Sequence, residues 1–180
     1  WEGCFHVALI YPDLYEVGMS SYGLQILYHL LNSMDGVVAE RAFAPFHDME
    51  AWLRSSRTPL FSLESKRPLN TFDLLAFSLG TELTYTNVLN MLDLAGLPVR
   101  SAQRSSWPLV IAGGSCSFNP EPMSAFFDAF GIGDGEELFP EMVRSLTAAR
   151  TTGKGTQEAL HDLARDIEGV YVPALYCEDA

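Results

Sequence analysis

Cysteine and positive charge are both scarce in this chain. Its three cysteines, Cys4, Cys116 and Cys177, lie far apart, with no CxxC or CxxxCxxC spacing. A sparse, odd set of thiols is no disulfide scaffold, so a reducing cytoplasm is the expected setting. Nor can this set alone hold an iron–sulfur cluster, which takes more thiolates at closer spacing. Lysine and arginine number 11 against 23 acidic residues, a formal net charge of −12. An acidic surface repels phosphate backbones and anionic lipid, so neither nucleic acid nor a membrane surface is an expected partner. No apolar run approaches the roughly 20 residues of a membrane span, and no signal peptide is visible. The four histidines, His6, His29, His47 and His161, include no pair at metal-ligand spacing.

Phosphate loops and nucleophile elbows are missing too. Gly131 to Gly135, GIGDG, follows an apolar stretch but lacks GxGxxG spacing. Gly153 to Thr156, GKGT, has no upstream Walker glycine and follows a helical pattern. Gly113 to Ser117, GGSCS, is not GxSxG, and Cys116 reads as a small buried thiol rather than a nucleophile. Asp134, Glu136 and Glu137 suit the start of a helix, where negative charge is favourable, better than a metal site. The chain opens at Trp1 and closes at Ala180 with no evident cap, and is expected to be a fragment of a longer protein.

What is present is a globular composition, 48% hydrophobic and 19% charged, with length for one domain and a sizeable core. FHVALIY at 5–11 is a continuous apolar run of the kind covered on both faces in a parallel sheet. Further strands are expected at 38–44, 72–79, 109–112 and 127–132. Helices are expected at 21–32, 47–55 and 84–95, then along Phe139, Met142, Val143 and Leu146, and finally along Leu160, Leu163, Ala164 and Ile167. The proline-bearing stretch 58–69 reads as an insertion with a possible edge strand. Strands alternating with helices predict a flavodoxin-like, doubly wound parallel sheet of five strands with a C-terminal helical extension. The α/β domain is expected over 1–150, and 151–180 as a helix and short strand leading away.

In such a sheet, ligands bind beyond the carboxyl ends of the strands. The loops at 12–22, 78–82, 113–122 and 133–137 all fall there, each with glycine or small polar residues. Glycine lets backbone approach a ligand closely, although tight turns alone also call for it.

Asp13 to Gly18, DLYEVG, has the frame D-x-Y-x-x-G. It resembles the D-x-H-x-x-G of the cobalamin-binding domains of methionine synthase and the mutases, placed likewise between first strand and first helix. Ser78 matches their serine at the end of strand three, and Gly113 with Gly114 their Gly-Gly at the end of strand four. The text is closer still to the N-terminal cobalamin-binding-like domain of a largely uncharacterised group of radical SAM proteins. The similarity runs from about Val7 to Tyr176 through YPDLYEVGMS, ERAFAPFHDMEAWLR, FSLGTELTYTNVLNMLDLAG, IAGGSCSFNPEP and GIGDGEE.

The resemblance implies cobalamin as cofactor, with binding residues Asp13, Tyr15, Gly18, Ser78, Gly113, Gly114, Gly133 and Gly135. The nucleotide tail would enter a slot beside Gly113, Gly114 and Gly133. Tyr15 replaces the histidine; a phenol keeps its proton at neutral pH and is a poor cobalt ligand, so a base-off cofactor without a protein ligand is expected. Asp13, with no imidazole to orient, is expected to turn to loop amides or to Ser20 or Ser21. Gly114→Val is expected to harm binding more than folding. A [4Fe-4S] cluster and S-adenosylmethionine are implied only for a radical SAM domain downstream, which is the expected partner. Methyl transfer or related radical chemistry is the implied activity of the parent protein, and the fragment itself is expected to be non-catalytic. Two other possibilities stay open: a cofactor-free structural domain docking on the radical SAM domain, and a flavin module.

Overall fold

The computed structural model describes residues 3–176, so Cys177 lies outside the described residues. Six strands form one sheet in the order β2-β1-β3-β4-β5-β6. They are β1 (Phe5–Tyr11), β2 (Val37–Phe43), β3 (Leu74–Ser78), β4 (Leu109–Gly113), β5 (Ala129–Gly131) and β6 (Val170–Tyr171). The first five run parallel in the 2-1-3-4-5 order of flavodoxin-like sheets, which places a topological switch between β1 and β3. β1 is central and buried along six of its seven residues, which is why its apolar run has no polar alternation.

A single turn, α1 (Tyr15–Gly18), precedes α2 (Tyr22–Asn32). α3 (His47–Ser56), α4 (Tyr85–Leu94), α5 (Gly135–Thr151) and α6 (Thr156–Asp166) follow. α2, α5 and α6 cover one face, where Leu24, Leu31, Phe139, Val143 and Leu163 pack over Val7, Leu9 and Ile111. α3 and α4 cover the other, with Leu53, Val88 and Leu92 over Ile10, Leu75 and Phe77. Each such fully buried aliphatic side chain contributes about 1.5–3 kcal/mol of transfer free energy. Ser21 caps α2 by accepting the Leu24 N–H at 3.4 Å.

Two features correct the sequence expectation. The sheet has six strands, not five, because the segment after α6 returns and pairs β6 antiparallel to β5. Gly169, at φ +85°, permits this: a Cβ there would stand 2.6 Å from the Ile132 carbonyl oxygen, and its own carbonyl accepts the Ile132 N–H at 2.7 Å. The insertion at 58–69 adds no strand to the sheet. It forms a small bridge, Phe61 to Pro68, and folds over β2. There Leu63 N–H donates to the Arg41 carbonyl at 2.6 Å, and Glu64 accepts the Arg41 backbone N–H at 2.7 Å, so the edge of β2 is covered.

The amino end of the sheet is closed by charge pairs. Arg104 and Asp128 form an ion pair at 3.0 Å with both side chains under a tenth exposed. Asp128 also accepts the Val110 N–H at 2.7 Å, and Arg104 donates to the carbonyls of Pro98, Val99 and Phe126. Burial pushes the Asp128 carboxyl above its ordinary range, with Arg104 pulling the other way.

Candidate functional site

The carboxyl end of the sheet holds a slot of about 210 Å³ between α2 and α5. Its floor is the sheet, through Leu9, Ala76 and Ile111, and its walls are Leu24 and Leu27 of α2 with Phe139 and Met142 of α5. Ser78, Gly113, Gly114, Gly133 and Gly135 all line it. Ser78 lies opposite Gly113 in the β3–β4 register. No hydrogen bond among the described residues engages its hydroxyl, so Ser78 and Glu136 are the polar side chains in a largely apolar lining.

The glycines do two different jobs. A Cβ on Gly113 would meet nothing closer than the Gly131 carbonyl oxygen at 3.9 Å. On Gly133 or Gly135 it would approach only Leu138 at 3.8 Å or Leu27 at 3.9 Å. Side chains at these positions would fill space that now belongs to the slot. Gly114 is different: besides a positive φ of +102°, which Gly133 shares at +151°, a Cβ there would stand 2.8 Å from the Leu79 carbonyl oxygen. That turn needs glycine for the fold itself. Gly114→Val, expected to harm binding more than folding, therefore carries a direct cost to the fold as well.

Asp13, Tyr15 and Gly18 do not join the slot. Asp13 Oδ1 accepts the Leu14 N–H at 2.7 Å, the loop-amide bond expected of it. Ser20 and Ser21 bond elsewhere, to the Val17 carbonyl and from the Leu24 N–H. Asp13 lines a second cavity, of about 240 Å³, on the α3/α4 side. Tyr15 is half-exposed and packs edge-on against Phe43, with ring centroids 5.5 Å apart. Gly18 is buried, and a Cβ there would collide with the Phe43 ring. Gly18 thus lets the turn lie flat on β2.

Sequence reasoning missed Leu27, Phe139, Met142 and Gly131 as slot residues. Helical spacing marks the first three as inward-facing but does not distinguish core from cavity wall. Asp134 occupies the N-cap of α5 without a side-chain cap bond, and Glu136 lies at the slot. Cys116 is half-buried beside Tyr85, whose hydroxyl is held above its ordinary range by burial and by Cys116. Among the described residues no group of three metal-ligating side chains occurs, and no helix is long and apolar enough to cross a membrane.

Around these cavities the carboxyl edge is apolar and open. Tyr22 is 85% exposed, Leu83 88% and Phe118 74%, each in a loop or helix start that follows a strand. Phe46, after β2, is also exposed. Large exposed apolar groups gathered on one edge mark a surface that meets a ligand or another domain.

A family model described as radical SAM proteins, N-terminal, matches residues 23–173. The solved structure of a radical S-adenosylmethionine methyltransferase, TsrM, from Kitasatospora setae, with tryptophan substrate and the SAM analog aza-SAM bound, is similar at a TM-score of 0.56 and 14% identity. The match covers 93% of this chain and 28% of that one. At that identity the likeness speaks for the fold, and the chain spans just over a quarter of that protein's length. No curated protein sequence matches the chain.

Proposed function

Because the chain belongs to the family of radical SAM N-terminal domains, we propose that it is the cobalamin-binding module of a radical SAM protein, holding the cofactor base-off over the carboxyl edge of the sheet. The observation that carries this is the glycine-walled slot. At about 210 Å³ it is smaller than the roughly 300–1,000 Å³ of a whole drug-sized ligand site, but it suits one flat bicyclic base. Gly113, Gly133 and Gly135 keep it open, and its apolar lining matches an aromatic tail. A macrocycle would then lie outside the slot, across the crest where Tyr15 is half-exposed.

When bound, cobalamin supplies a cobalt centre for one-carbon transfer. The chain's own residues bind and shield it. Ser78 would offer a hydroxyl to the tail, and Tyr15, braced on Phe43, would shield the cofactor without serving as a ligand. The [4Fe-4S] cluster and S-adenosylmethionine belong to a radical SAM domain, the partner proposed for this one. A cytoplasmic setting suits the sparse thiols.

A second possibility, a cofactor-free docking domain, is favoured by the exposed Tyr22, Leu83 and Phe118, which suit a protein surface equally well. Titration with hydroxocobalamin followed by gel filtration separates the two. Corrin absorption that travels with the protein at one equivalent is the expected result. A colourless protein peak favours the docking domain, and a native yellow chromophore favours a flavin.

A further inference from the structure

The cavity that Asp13 lines differs in chemistry from the slot. It lies at the same edge but on the opposite face, bounded by Asp13 after β1, Pro45 to His47 after β2, Glu50 of α3 and Asn87 and Asn90 of α4. Acceptors predominate among its side chains, and their present bonds leave acceptor capacity on Asp13, Glu50 and Asn87. Asn87 Nδ2 donates to the Pro12 carbonyl at 2.9 Å, which fixes the amide orientation and leaves Oδ1 as an acceptor. Asp13 Oδ1 takes the Leu14 N–H at 2.7 Å, and no described residue bonds its Oδ2. Glu50 accepts from Arg54 at 2.9 Å and from Asn90 at 3.1 Å, and each of its oxygens keeps a lone pair. The Arg54 guanidinium and the Asn90 amide hold the Glu50 carboxyl below its ordinary range, so it is ionised at neutral pH. Arg54 itself is engaged by Glu50, Asn90 and Asp93. His47, exposed at the start of α3, is the other group on the lining with a ring N–H to offer.

We propose that this cavity is a subsite for a primary carboxamide on the rim of the bound macrocycle, and that it discriminates against the corresponding carboxylate. The proposal rests on the cobalamin reading above. With the tail anchored on the α2/α5 face, a macrocycle crossing the Asp13 loop would bring its rim over the α3/α4 face. A carboxamide is neutral and offers two N–H donors to Asp13, Glu50 and Asn87. A carboxylate offers acceptors only, and its charge faces the carboxylates of Asp13 and Glu50, against which the lining sets only His47 and the start of α3. Leaving those acceptors unpaired costs at least about tenfold in affinity.

The test uses the full-length protein and spectral titration at pH 7. The ligands are hydroxocobalamin and its isomeric monocarboxylic acids, each with one side-chain amide hydrolysed. One isomer should bind at least about tenfold more weakly than hydroxocobalamin. Asp13→Asn and Glu50→Gln, which keep shape and remove charge, should each narrow that ratio by about threefold or more, with melting temperature followed alongside. Equal affinity for every isomer overturns the subsite while cobalamin binding stands. A ratio unchanged in both variants moves the discrimination to another place and overturns it equally. A wild-type protein that binds no hydroxocobalamin removes both this proposal and the function it rests on.

Discussion

The two ends of the sheet are built on opposite principles. At the amino end, polar groups are buried and paired: Arg104 with Asp128, and Asp73 with the His6 N–H at 2.9 Å and with Arg150 at 3.1 Å. Trp107 is held between Phe5, edge-on at 6.0 Å, and the Arg150 guanidinium. At the carboxyl end the loops expose Tyr22, Leu83 and Phe118, and glycines stand where side chains would close the slot. One end secures the fold, and the other leaves surface unsatisfied for a ligand or partner. Changes at the two ends should therefore separate stability from binding.

The largest effect is expected at the amino end. Arg104→Ala leaves Asp128 buried without its cation and should destabilise the domain by about 3–5 kcal/mol, read by denaturant unfolding. The deficit has a pH signature. Loss of Arg104 raises the folded-state pKa of Asp128 further above the unfolded value. The variant is then nearest to wild type in acid, below the unfolded pKa, and loses ground as pH rises through the folded pKa. A deficit independent of pH would show that Asp128 is not the group left uncompensated.

Within the carboxyl end, the two adjacent glycines should part company. Gly114→Ala forces a side chain into a left-handed turn and against the Leu79 carbonyl, costing about 1–3 kcal/mol of stability. Gly113→Val meets no such backbone and should melt within a few degrees of wild type. It should nonetheless lose about tenfold or more in hydroxocobalamin affinity, or roughly 1.4 kcal/mol, by filling the slot. The reverse order, with Gly113→Val unstable and still binding, would break the assignment of the slot. The smallest effect on affinity is expected for Tyr15→His, since Tyr15 rests on Phe43 outside both cavities. Its readout is spectroscopic: axial nitrogen splitting should appear in the Co(II) EPR spectrum of that variant.

Much of the fold was legible because β1 is one unbroken apolar run and the helices carry strong apolar periodicity. Ser21, predicted to open the first helix, is the residue that caps it. The turn Tyr15–Gly18 was not legible, being too short to show a period; a short strand after the last helix was expected, but not its pairing with β5 as β6. β6 further depends on Gly169 meeting Ile132 across a long separation in sequence. Ser78, Gly113, Gly114, Gly133 and Gly135 could be grouped from sequence because each stands where a parallel strand or its following loop reaches the same edge. The division between Asp13 and the slot could not. Which face of the sheet a loop turns toward depends on packing such as that of Gly18 on Phe43, and nothing in DLYEVG states it.

The central claim is that cobalamin is held with its base off the cobalt and in the slot. Its most direct test is the EPR spectrum of the unmutated full-length protein loaded with Co(II) cobalamin. A five-coordinate signal without axial nitrogen splitting is predicted, with the tail withdrawn from the metal and Tyr15 supplying no ligand. Axial nitrogen splitting, or a cofactor that fails to remain with the protein, would contradict it.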